Sequence, residues 1–166
     1  MQNLMQRVCT AVLISAGVMV SSIAAGATIG PVGPFHSLSG KLILKSPATF
    51  QNPLTCNVSF AGEVDGYGVA KINAVLFSGA STYCQNIRVA HIPWSMKAVG
   101  QVTLNITDIE FSLTGFPGAQ SYCGPSTIST SWRPPIQQVE ASNQALSGNC
   151  TITSLEVVFP SLNVSL

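Results

Sequence analysis

The sequence has few charged residues and no excess of either sign. Charged residues make up 8% of the 166 residues, against about 25% in typical soluble domains. Arg7 is the only charged residue among the first 27, so six basic residues face six acidic ones in the remainder. No basic stripe is present to bind phosphates, and we expect no nucleic-acid partner. So weakly charged a surface suits a protein that self-associates or lies at an interface.

Groups for catalysis are also scarce. Only two histidines occur, His36 and His91, and no pattern places either beside a nucleophile or at metal spacing from a cysteine. Asp108 and Glu110 share one strand face, where a solvated face is a simpler explanation than a calcium ligand pair. The serines of 126–131 have no neighbouring base or nucleophile elbow. We therefore predict a non-enzymatic protein with no catalytic residue, no metal site and no cofactor.

Helical periodicity is missing from residues 28–166. Short runs alternate instead, as in LTCNVSFAGEV over 54–64, followed by the hairpin signal DGYG. The pattern predicts about 8–10 short strands in an all-β, antiparallel β-sandwich of immunoglobulin-like or jelly-roll type. The alternation changes phase at Thr107 and Asp108 and again at Ser154, which predicts a β-bulge or a change of sheet.

The first 27 residues have the pattern of a secretory signal peptide. An apolar run covers Val8–Val20, and Ala25 and Ala27 stand at the spacing of a cleavage site. The alternative is a membrane anchor, but the run is shorter than the roughly 20 residues that a span needs. We expect cleavage after Ala27, leaving residues 28–166 as a single secreted domain, extracellular after transit through a bacterial periplasm, with no transmembrane segment.

Four cysteines remain after that cleavage: Cys56, Cys84, Cys123 and Cys150. An even number behind a signal peptide predicts a disulfide framework, for which three pairings are open. The intervals 57–83 and 124–149 are nearly equal and similar in pattern. This similarity favours Cys56–Cys84 and Cys123–Cys150.

The segment TIGPVGPFHS, residues 28–37, is rich in glycine and proline. We predict an extended leader without regular structure, loosely attached in a monomer and ordered only in an assembly.

Several stretches resemble a known family. LTC before a phenylalanine strand, FSGASTYC, YCGPSTISTSW and LSGNC are similar to the secreted bacterial activators of alkane oxidation, the Pra proteins. The resemblance implies an extracellular protein that helps cells grow on hydrocarbons, with the four cysteines as its frame and no catalytic residue carried over. Two functions stay open: adsorption at a hydrocarbon or cell surface, and self-association as the subunit of an extracellular fibre or biofilm matrix by β-strand addition.

Overall fold

The structure is a computed structural model that describes residues 26–166, so most of the predicted signal peptide lies outside the described residues. The described part contains a four-residue α-helix, α1 (Thr82–Gln85), and short 3-10 helices at Pro47–Thr49 and Pro134–Ile136. All other regular structure is β-strand: β1 (Thr28–Gly30), β2 (Gly33–His36), β3 (Gly40–Lys45), β4 (Leu54–Val64), β5 (Val69–Ser78), β6 (Ile87–Val89), β7 (Trp94–Gly100), β8 (Thr103–Thr114), β9 (Gln120–Arg133), β10 (Gln138–Leu146), β11 (Cys150–Val158) and β12 (Asn163–Ser165).

The prediction of an all-β antiparallel protein is confirmed, but the predicted sandwich of two packed sheets is wrong. Eight strands follow one another in the order β4-β3-β11-β10-β9-β8-β7-β5, and β5 pairs with β4 again. The sheet therefore closes into an eight-stranded barrel. Strands β2 and β6 extend its wall beside β4 and β8, and β1 pairs with β12 in a separate two-stranded ribbon. Closure removes most of the unpaired edges that two open sheets would have.

The interior of the closed sheet is a packed apolar core. Its large side chains include Phe60, Trp94 and Phe111, and the remaining cavity is only about 20 Å³, lined entirely by apolar residues. Such a space holds about one water molecule. Barrels of eight strands are often filled by their own side chains in this way.

Both phase changes in the sequence correspond to bulges. Strand β8 changes register between Ile106 and Ile109, where Asp108 has a φ of 65°. Strand β11 shifts between Ile152 and Ser154. The extra residue in each bulge keeps the apolar side chains on both sides of it inside the sheet.

The prediction that residues 28–37 form a leader without regular structure is wrong. Its first part forms β1, paired with β12, and its second part forms β2, paired with β4. Ile29 and Phe35 are each only 3% exposed, and the Phe35 ring centroid lies 5.9 Å from that of Phe159. Proline is tolerated in short edge strands, so the glycine and proline content does not exclude strand structure here.

Two disulfide bonds lie near one end of the closed sheet. Cys56 is bonded to Cys84 and Cys123 to Cys150, each with 5.6 Å between the α-carbons. This is the pairing that the matched intervals favour. The first bond holds α1 against β4, and the second joins β9 to β11.

Candidate functional site

Most of the side chains with potential catalytic chemistry lie apart from one another, but His91 contacts Glu110. His91 is exposed, and its Nδ1 atom lies 2.5 Å from Oε2 of Glu110. His36 lies in β2, and Asp108 lies at the bulge of β8, where its carboxylate accepts a hydrogen bond from the Thr107 hydroxyl. Within residues 26–166, no group of three or more His, Cys, Asp or Glu side chains could hold a metal ion. Ser129 and Ser131 lie on the exposed face of β9, and Ser126 is half-buried. Apart from the contact between His91 and Glu110, the structure does not bring these residues together into one site.

Four loops meet at one end of the closed sheet, and none of them contains a charged residue. They connect β3 to β4, β5 to β6, β8 to β9, and β10 to β11; their residues are 46–53, 79–86, 115–119 and 147–149. We call these four loops together the uncharged end. Of the twelve charged residues in the described part, eleven lie in strands, and the other, Asp65, lies in the β4–β5 hairpin at the opposite end.

Direct contacts hold the loops of the uncharged end together. The Ala48 amide donates a hydrogen bond of 2.7 Å to Oγ of Ser121, and Nε2 of Gln51 donates one of 3.0 Å to the carbonyl oxygen of Asn149. Gly115 lies so close to Ala48 that an added β-carbon would come within 2.0 Å of the Ala48 carbonyl oxygen. These contacts join the β3–β4 loop to the β8–β9 and β10–β11 loops, and Tyr83 of the β5–β6 loop lines a groove together with Ala48.

Large aromatic side chains on and beside this surface are exposed to solvent. Phe50 is 70% exposed and Phe116 is 73% exposed, each in one of the four loops. Tyr122, just inside β9, is 66% exposed, and its hydroxyl donates to Oε1 of Gln120. Single exposed apolar side chains are common on soluble proteins. Several exposed aromatic side chains on adjoining loops without charged residues are typical of an interaction site.

Backbone hydrogen bonds hold the turn that contains Phe50. Phe50 and Gln51 have left-handed φ angles of 52° and 60°, a conformation that costs of order 1–3 kcal/mol in each non-glycine residue. Their amides donate hydrogen bonds of 2.9 Å to the carbonyl oxygens of Pro47 and Ser46. The exposed Phe50 ring contributes little to packing, so fold stability does not account for a phenylalanine at this position.

A shallow groove of about 180 Å³ adjoins the Phe50 turn. Its wall includes Ala48, Pro53 and Leu54 from the β3–β4 connection and Tyr83 from α1. The core cavity, in contrast, is far too small for any chain of several methylene groups. An apolar ligand would therefore contact the outer surface of this protein rather than its interior.

Comparison with known proteins gives a family. A family model described as "Alkane oxidation protein activator PraA/PraB-like" matches residues 1–166. The chain belongs to this PraA/PraB-like family. Searches of the curated proteins and of the solved structures found no match. The family description names an effect on alkane oxidation, and the resemblance noted in the sequence is confirmed.

Two further observations bear on where a PraA/PraB-like protein of this kind is found. The two disulfide bonds indicate a location outside the reducing cytoplasm. Among the residues that the structure describes, there is no helix whose length and apolar character would let it cross a membrane.

The sequence alone did not single out Phe50, Phe116 or Tyr122. A usable signal was present, because SPATFQNP and GFPGA each place a phenylalanine among turn-forming residues without any charge. That the two loops lie side by side could not be read from this pattern, since they are separated by some sixty residues of chain.

Proposed function

We propose that this member of the PraA/PraB-like family is a secreted, non-enzymatic bacterial protein that adsorbs to hydrocarbon surfaces through its uncharged end. The family description supports a role in alkane oxidation as an activator. The disulfide bonds support action outside the cytoplasm. Adsorption would bring cells and hydrocarbon together without chemical change to the alkane.

The observation that carries this proposal is the exposure of Phe50 and Phe116 in loops that contain no charged residue. Transferring an apolar side chain of this size from water to hydrocarbon is favourable by about 1.5–3 kcal/mol. Placing an unpaired charge against hydrocarbon costs far more than that. Loops that expose aromatic rings and contain no charged residue gain the free energy of transferring the rings, and no charge of their own has to be placed against hydrocarbon.

Hexadecane droplets test the proposal directly. The purified, oxidised protein is expected to partition to the droplets, and the double variant Phe50→Ser, Phe116→Ser to bind at least about tenfold more weakly, since two rings no longer enter the hydrocarbon. The measurement is the protein concentration left in water after the droplets are removed by centrifugation.

The matched control is Tyr67→Ser. Tyr67 is 89% exposed but lies in the β4–β5 hairpin at the opposite end of the closed sheet. This variant is expected to adsorb as the unchanged protein does. Equal adsorption by all three proteins, or none by the unchanged protein, would contradict the proposal.

A second candidate function is that of a subunit in an extracellular fibre or biofilm matrix. Strand β5 pairs with β7 only over Val69–Ile72, so residues 73–78 have β4 as their one strand neighbour within the described part of the chain. This free edge could accept a strand from another copy. Electron microscopy of the same preparation separates the two functions, because filaments favour the fibre and separate single molecules favour adsorption.

A further inference from the structure

A polar groove lies in the wall of the closed sheet, between β9 and β10. Its volume is about 590 Å³, within the range of roughly 300–1,000 Å³ that is common for ligand sites. The groove differs chemically from the uncharged end, because hydroxyl, amide and charged side chains form most of its lining. Nothing in the proposed adsorption to hydrocarbon uses it.

The groove exists because β9 and β10 separate. They pair only from Ser131 to Arg133 on β9, opposite Gln138–Glu140 on β10. Beyond this point the Gln144 side chain lies between the strands: Oε1 accepts a hydrogen bond of 2.9 Å from the Ser129 amide, and Nε2 donates one of 2.9 Å to the Ser142 carbonyl oxygen. A side chain thus replaces the missing backbone ladder, and it leaves a recess open to solvent.

The floor of the groove is buried and its rim is polar. Thr130 is 3% exposed, and its hydroxyl donates to the carbonyl oxygen of Leu104, so the bottom of the groove is closed. Ala141 and Leu155 add a small apolar area beside it. Hydroxyl groups of Ser131 and Ser142 lie at the rim, where each can both donate and accept.

The charges in the groove exclude several classes of ligand. Arg133 is engaged by Glu140, with 2.7 Å between Nε and Oε2, so the only cation of the lining is already paired. Glu156 stands directly opposite Glu140 in the β10–β11 pair. Two carboxylates and a neutralised guanidinium disfavour phosphate and other anions. An inserted peptide strand is disfavoured because Gln144 occupies the space between the strands.

We propose that this groove binds a neutral saccharide. The lining supplies hydroxyls, an amide and carboxylate oxygens in close succession, and these groups match the alternating donors and acceptors of a sugar that has no charge of its own. The carboxylate of Glu140 is held by Arg133 and by Nε2 of Gln138 at 2.9 Å. It is therefore preorganised as an acceptor for a sugar hydroxyl. The saccharide could belong to a polysaccharide or to the head group of a glycolipid, since both present the same hydroxyls.

A glycan array of neutral oligosaccharides, with uronic-acid oligosaccharides beside them, tests this site. The unchanged protein is expected to bind neutral members and to leave the acidic ones unbound. Ser142→Trp is expected to abolish that binding by filling the groove. The matched control is Ser78→Trp, an exposed serine on β5, which lies opposite β10 in the ring of eight strands; it is expected to bind as the unchanged protein does.

A more conservative variant tests the site even if Ser142→Trp fails to fold. Glu140→Gln keeps the size of the side chain and is expected to weaken binding to the best neutral oligosaccharide by about tenfold, the effect of losing one charge-assisted hydrogen bond. Two preparations of the same sugar distinguish the two sources. Binding to the soluble oligosaccharide indicates a polysaccharide, and binding only to alkyl glycoside micelles indicates a glycolipid head group. Binding of acidic glycans alone, no glycan binding, or equal binding by the unchanged protein, Ser142→Trp and Glu140→Gln would overturn the proposal.

Discussion

Gly115 shows how single residues fix the shape of the uncharged end. Its loop closes through hydrogen bonds from the Gly115 amide to the Ala119 carbonyl oxygen at 2.7 Å and from the Gly118 amide to the Gly115 carbonyl oxygen at 2.8 Å. Gly115 also lies against Ala48 of the neighbouring loop. Only a residue without a β-carbon allows this approach, and the approach brings the loops of Phe50 and Phe116 side by side.

We expect Gly115→Ala to destabilise the protein by about 1–3 kcal/mol, as overpacking of a close contact does. The new β-carbon would lie 2.0 Å from the Ala48 carbonyl oxygen, so backbone must move. Urea unfolding followed by circular dichroism measures the change. Gly66→Ala is the control, because nothing lies within 4 Å of a β-carbon at that position; equal midpoints for the two variants would show that the loops are not in contact.

At the scale of elements, β1 and β2 are short but belong to the fold. Phe35 of β2 packs against Phe159, and the Ser37 amide that follows β2 donates to the Phe60 carbonyl oxygen at 2.8 Å. Ile29 of β1 is buried, and its amide donates to the Gly68 carbonyl oxygen at 3.0 Å. The segment at 28–37 is thus attached to the domain both by apolar burial and by backbone hydrogen bonds.

Phe35→Ala is therefore expected to cost about 3–5 kcal/mol, the usual effect of removing a buried phenylalanine ring. Phe50→Ala makes the same chemical change at an exposed position and is expected to change the free energy of unfolding by less than about 0.5 kcal/mol. Chemical denaturation of both variants measures the difference. If both variants had the stability of the unchanged protein, 28–37 would be the loose leader that its composition indicates.

The sequence predicted local features of the elements better than their partners. Alternation identified β4 and the hairpin at Asp65–Gly68, and the phase changes located the bulges at Asp108 and near Ser154. Each of these is a property of consecutive residues. The partner of 28–37 was missed because Ile29 and Phe35 are isolated apolar residues, and their burial depends on β12 and β4, which are distant in the chain.

At the scale of the whole molecule, closure of the sheet is the feature that the sequence could not show. The same alternation fits two stacked sheets or one closed sheet, and the difference is whether β5, already paired with β4 through the predicted hairpin, also pairs with β7. Closure also decides the candidate site. It gathers four loops at one end, whereas composition predicted only that charges would be few.

The distribution of charge leads to a prediction about adsorption to hexadecane. Because the uncharged end has no charged residue, raising the salt concentration from about 0.01 M to 1 M, which shortens the Debye length from about 30 Å to 3 Å, should not lower the fraction bound. Screening can weaken only contacts between charges, and this adsorption depends on apolar area. A several-fold fall in binding over that range would show that charged strands, and not the uncharged end, face the droplet.

Two isosteric variants test which part of the molecule adsorbs to hexadecane. Asn52→Asp places a negative charge beside Phe50 and is expected to weaken adsorption by about tenfold, because the carboxylate must lose water where the surface meets hydrocarbon. Asn73→Asp makes the same change on β5, on the side wall of the closed sheet, and is expected to leave adsorption unchanged. Both asparagines are exposed, so neither variant should alter the fold. Equal loss in the two variants would mean that net charge, rather than the chemistry of one end, controls adsorption.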